Sequence, residues 1–160
     1  MAAGDRERWN ERYAAEQETP APTPFLVSLG AILPRRGRAL DLAGGSGRNA
    51  LWLALSTVLV DLEAEPPPAG PWDLVVCTYF LNRPLLGALP ALLAPGGLLV
   101  VAHATRTNLT RHPRPGPDHV LEDGELPALV RGVELLHVEE GWLESGRHEA
   151  RLVGRSRDPN

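Results

Sequence analysis

Lysine is missing from this 160-residue chain: all 16 basic side chains are arginine. That absence excludes Schiff-base chemistry on a lysine amine. With 16 prolines and abundant alanine beside it, it reads as a compositional habit rather than a functional choice. Cysteine is nearly missing too. Cys77 stands alone, which excludes an internal disulfide and a cysteine-rich zinc site. The five histidines show no metal-ligand spacing, so no metal site is expected. An excess of positive charge is also lacking. The formal net charge is −4, so phosphate backbones and anionic lipid surfaces have no general attraction for the chain. The opening MAAGDRERWNERY is charged and lacks the apolar segment of a signal peptide. One run, LLGALPALLAPGGLLVVA (85–102), has the length of a membrane span. Pro90, Pro95, Gly96 and Gly97 divide it instead into a helix, a break and a buried strand. These absences predict a cytoplasmic monomer.

What is present suits one folded domain. Hydrophobic content of 43% and charged content of 22% are those of an ordinary globule, and the length allows a substantial core. DRERWNERYAAEQ (5–17) reads as a short helix with Trp9 and Tyr13 on one face. It predicts a helical cover over 1–19, ahead of a single α/β domain over 20–160. FLVSLGAIL reads as a helix stopped by Pro34. Strands are expected at 39–43, 57–62, 72–79 and 98–104, with helices at about 48–55 and after Arg83. A polar loop over 105–119 precedes a short helix in EDGELPALVRG. VELLHVEEGW and HEARLVGRS, joined by LESG, read as a closing hairpin. The expected fold is a Rossmann-like, mostly parallel sheet with helices on both faces and a C-terminal antiparallel hairpin.

The chemistry gathers around DLAGGSGRNA (41–50). Gly45, Gly47 and Ala50 match the glycine fingerprint of dinucleotide sites, although a plain tight turn between strand and helix gives the same letters. Asp41 at the strand end separates the cofactors. A carboxylate there, close to the cofactor's path, would repel a diphosphate by several kcal/mol at low dielectric, which argues against a nicotinamide cofactor. It attracts a ligand carrying an ammonium and a sulfonium, and S-adenosylmethionine is such a ligand.

WNERYA, ALDLAGGSGRNALWLA, WDLVVCTYFLNRPLL, LLAPGGLLVV and EDGELPALVRG, in that order, resemble class I S-adenosylmethionine-dependent methyltransferases. The likeness is to the small enzymes of the tellurite-resistance and thiopurine methyltransferase type, and it covers nearly the whole chain. The resemblance implies that Asp41 and the backbone of Ala43, Gly45 and Gly47 line the methionine end of the cofactor. It implies that Asp61 and Leu62 lie near the adenine, and Cys77 and Thr78 beside the transferred methyl. It also implies that Trp9 and Tyr13 cover the cofactor. Tyr79, Asn82, Arg83 and His103 follow strand ends on the ligand side of such a sheet and are the substrate-side candidates. No single residue is marked as catalytic, since positioning alone can lower much of a methyl-transfer barrier. Arg106, Arg111, His112 and Arg114 make the long loop locally basic, either a solvated surface or a lid for an anionic substrate.

The pattern departs from the resemblance between LWLAL and STVLVD. A strand-helix unit of roughly 30 residues, with the acid that holds the ribose, has no counterpart. The implied function is methyl transfer from S-adenosylmethionine to a small molecule; the alternative is a non-catalytic protein of the same fold. If TVLVD moves beside ALDLA, Asp61 stands in for the ribose acid; if it keeps the usual place, a gap remains in the sheet.

Overall fold

The computed structural model describes residues 21–53, 62 and 65–157. The expected cover over 1–19, with Trp9 and Tyr13, lies outside them. So does the strand expected at 57–62 apart from Leu62, and with it Asp61 and the choice between the two positions of TVLVD.

Among the described residues, five strands form one sheet: β1 (Ala39–Leu42), β2 (Trp72–Thr78), β3 (Leu93–Ala104), β4 (Val133–Trp142) and β5 (His148–Ser156). Their spatial order is β1-β2-β3-β5-β4. β1, β2 and β3 run parallel, while β5 is antiparallel to both β3 and β4. One antiparallel strand therefore sits next to the edge, as the closing hairpin predicts. Its turn is set by the Leu143 N–H donating to Arg147 O and the Gly146 N–H to Leu143 O.

The central strands LVVC of β2 and LLVVA of β3 are apolar on successive residues because both faces of the sheet are covered. On one face Val75, Cys77, Leu99, Val101 and Leu152 pack with Leu86 and Leu89 of α3 (Arg83–Ala88) and the 3₁₀ turn after it. Leu126 and Val130 close the same cluster around α4 (Leu126–Leu129), and Leu62 packs against it. On the other face Leu74, Val76, Leu98, Val100 and Val153 meet Phe25 and Leu26 of α1 (Pro24–Ser28). The helix after the glycine turn is α2 (Arg48–Trp52).

Among the boundaries that differ from the sequence reading, the helix expected at about 48–55 ends at Trp52, and two others have a local cause. The helix expected through Leu33 ends at Ser28, whose hydroxyl donates to Phe25 O at 2.7 Å. That side-chain bond competes with the helix ladder, and the chain continues in separate tight turns with Leu29 N–H bonded to Leu26 O and Gly30 N–H to Val27 O. β3 begins at Leu93 rather than 98. The Pro95-Gly96-Gly97 break is a bulge within it, between the pairs Trp72–Leu93 and Leu74–Leu98. The 85–102 run thus divides between α3, a 3₁₀ turn and β3. Among the described residues no helix is long and apolar enough to cross a membrane.

Candidate cofactor and substrate site

Because β1, β2 and β3 are parallel, their C-terminal ends share one edge, where ligands of open α/β sheets bind. Ala43 leaves β1 with φ 52°, a left-handed conformation that costs a non-glycine residue about 1 kcal/mol or more. The turn closes by Gly47 N–H donating to Gly44 O at 3.0 Å. Gly47 begins α2 at φ 77°, where a side chain would be strained. Gly44 is needed for a different reason: a Cβ there would lie 2.8 Å from Asp41 Oδ2.

The Asp41 carboxyl is thus held beneath the turn. Both its oxygens are buried without a hydrogen-bond partner, a state that buried polar groups rarely occupy. Burial raises its pKa to about 6; Asn49, Arg48 and the Ala50 N–H pull in the other direction, but none makes a hydrogen bond of ordinary geometry with it. Cys77 lies on β2 beside Leu42. It is fully buried and pushed up to about 12, by burial first and the nearby Asp41 second. Burial therefore keeps the thiol protonated.

Asn49 of α2, 1% exposed, joins three elements behind this corner. Its Oδ1 accepts from Thr23 N–H at 2.9 Å, and its Nδ2 donates to Thr78 Oγ1 at 3.1 Å. Asn49→Ala strands two buried groups, and should lower stability by about 2 kcal/mol in urea denaturation. A loss below 0.5 kcal/mol would mean the pair finds other partners.

Tyr79 follows β2 at φ 60°, its N–H donating to Ala102 O at 2.8 Å. The guanidinium of Arg147 lies 4.8 Å from its ring centroid and that of Arg48 5.8 Å. Its hydroxyl is 3.4 Å from Glu149 Oε2; burial first and then this carboxylate raise the phenol's pKa. Glu149 is 1% exposed and also meets Arg147 and Arg151, each at 3.4 Å.

The other substrate-side candidates have structural duties. Asn82 accepts from Leu85 N–H at 3.0 Å and caps α3. Arg83 grips both oxygens of Glu125 at 2.6 and 2.9 Å and donates to Val120 O. His103 is buried, its Nδ1 3.1 Å from Ala104 O, and burial lowers its pKa. The basic loop is clamped rather than open. Arg106 pairs with Glu122, Arg111 lies 3.8 Å over the Trp142 ring, and His112 Nε2 meets Gly146 O at 2.7 Å. Arg114 offers its carbonyl to Asn108. Among the described residues no group of His, Cys, Asp and Glu is placed to hold a metal ion.

The structure of TehB from Haemophilus influenzae superposes with a TM-score of 0.69 at 21% identity, over 93% of this chain and 67% of that one. The fold is that of class I S-adenosylmethionine-dependent methyltransferases. A Burkholderia thailandensis 1,6-didemethyltoxoflavin-N1-methyltransferase, solved with bound 1,6-didemethyltoxoflavin and S-adenosylhomocysteine, superposes at 0.63 with 16% identity, over 98% of this chain and 87% of that one. No known family profile matches the sequence. An uncharacterised Schizosaccharomyces pombe protein is 34% identical over 106 residues, 62% of this chain. The matched part spans 31% of that relative's length. Within this methyltransferase fold, Asp41, Ala43, Gly45, Gly47 and Cys77 lie at or just under the C-terminal ends of β1 and β2. Asn49, Glu149, Arg147 and Arg151 were not singled out by the sequence reading. A lone acid at an inward position of HEARLVG was the available signal for Glu149.

Proposed function

We propose that this protein binds S-adenosylmethionine at the glycine turn and transfers its methyl group to a small molecule. One observation carries the reading: the buried, unpartnered Asp41 carboxyl beneath Gly44. A buried carboxylate needs a counter-charge or hydrogen-bond donors, and the ammonium of a bound S-adenosylmethionine is both. The residues present therefore fit the methionine end of that cofactor, with the backbone of Ala43, Gly45 and Gly47 turning around it. Bound there, the cofactor supplies an electrophilic methyl group. The chain's part is to orient it, to keep water from its methionine end and to hold an acceptor in line. Tyr79, at the adjoining strand end, is the nearest candidate to meet an acceptor.

Isothermal titration of the folded protein with S-adenosylmethionine and S-adenosylhomocysteine tests the cofactor. Binding of both at micromolar to sub-millimolar concentration is expected, and no heat at millimolar ligand would overturn the reading. Transfer of labelled methyl to a compound in a cell extract, lost in Asp41→Asn, tests the activity.

A second reading, a non-catalytic protein of the same fold with an incomplete cofactor site, is favoured by the short path between α2 and β2, Leu53 to Pro71. It leaves little chain for a further strand-helix unit. Methyl transfer to any extract component would eliminate it.

A further inference from the structure

Asp41 combines burial with a lack of partners in a way no other described side chain does. The groups facing it explain why the fold does not neutralise it. From α2, Arg48 directs its guanidinium to Thr23 Oγ1 at 3.4 Å and toward the Tyr79 ring. From the same helix, the Asn49 amide is committed to Thr23 and Thr78. From β2, Cys77 stays a neutral thiol. Above it, Gly44 offers no side chain, and the carboxyl fills the space a Cβ would take.

We infer that ligand loading at this turn is an exchange, in which a cationic group of the ligand enters against Asp41 and a proton leaves it for solvent. The inference rests on the cofactor reading above and adds a property of the same site. No covalent bond changes: the carboxylic acid ionises, the released proton goes to buffer, and the ligand's ammonium becomes the counter-ion. Without ligand the acid form is stable in mildly acidic solution because ionisation would bury a lone charge. The carboxyl's rise to about 6 from its ordinary 3.8 has this cause. The site therefore recognises positive charge specifically. A nucleoside lacking the ammonium gains nothing from Asp41 and expels no proton.

Titration calorimetry on the full chain at pH 5, 6 and 7, in buffers of different ionisation enthalpy, tests the exchange. Three probes separate the contributions: S-adenosylhomocysteine, S-adenosylmethionine and 5′-methylthioadenosine. For the first two, affinity at pH 5 should be about tenfold weaker than at pH 7, with about three quarters of a proton released per ligand near pH 5.5. Any binding of 5′-methylthioadenosine should be flat with pH, and Asp41→Asn should bind the amino-acid-bearing ligands weakly and without proton release. Heats from the wild type with affinity unchanged between pH 5 and 7 would overturn the exchange and leave the cofactor reading standing. No heat from any probe at pH 7 would overturn both. Release persisting in Asp41→Asn would assign the proton elsewhere and overturn the exchange. If that variant binds too weakly to measure, carboxyl-carbon NMR of the wild type decides. The Asp41 midpoint should lie near 6 when free and fall by about two units with S-adenosylhomocysteine; an unchanged midpoint refutes the exchange.

Discussion

Glu149→Ala should destabilise the protein by about 3 kcal/mol, the lower part of the range for breaking a buried ion pair. Glu149 is 1% exposed and is the shared acceptor for Arg147 Nε, Arg151 Nε and the Tyr79 hydroxyl, each at 3.4 Å. Without it, three polar groups at the ligand edge lose their common partner. The loss falls toward the lower end for two reasons. Arg147 is 41% exposed and can turn to solvent, and Arg151 keeps Glu139 at 3.8 Å. Glu149→Gln retains an acceptor but not the charge, so it should cost about half as much. Chemical denaturation at pH 7 reads both. If the alanine variant lost less than 1 kcal/mol, the cluster would count as a surface network despite its burial.

Asp41→Asn should act in the opposite direction and raise stability in the absence of ligand. The carboxyl's pKa is raised to about 6 from 3.8, so the native state holds its proton more tightly than the unfolded chain. Stability therefore falls as pH rises from about 4 to about 6 and stays lower above that window. The rise is worth about 3 kcal/mol at pH 8. An asparagine amide in the same place also lacks partners, so a gain of about 2 kcal/mol is expected. For a chain of this size that is a rise in melting temperature of roughly 4–8 °C. At pH 4, where the wild-type carboxyl is protonated in the native state, the variant should have lost this advantage and be no more stable than the wild type. Urea midpoints between pH 4 and 8 give the comparison, and a wild type more stable than the variant at pH 8 would show that the carboxylate has a counter-charge. The same substitution should weaken S-adenosylhomocysteine binding, so one side chain would trade stability for ligand recognition, as strained functional groups do.

The glycine turn and its acid were legible because their signals are local. Asp41 lies one residue from the end of a short apolar strand, and the glycines follow within six residues of it. A turn that needs φ 77° at Gly47 can be read from the residue itself. Candidates chosen for following a strand end have partners that the sequence does not show. Asn82 and Arg83 do follow β2, but the cap on Leu85 N–H and the pairing with Glu125, 42 residues away, show what holds them. Spacing along the chain carries no record of such a partner.

By itself, the sequence determined the alternation of strands and helices, the both-faces burial of β2 and β3, the closing hairpin and the acid beside the glycine turn. Each follows from side-chain period, turn residues or apolar runs, which act over a few residues. Only the tertiary structure decided that β5 lies between β3 and β4. It also decided that Asn49 bridges Thr23 and Thr78, and that Glu149 reaches Tyr79 across 70 residues. The reason is physical. A buried polar group takes whichever partner the packed layers bring to it, and that partner is fixed by the order of strands in the sheet, not by distance along the chain.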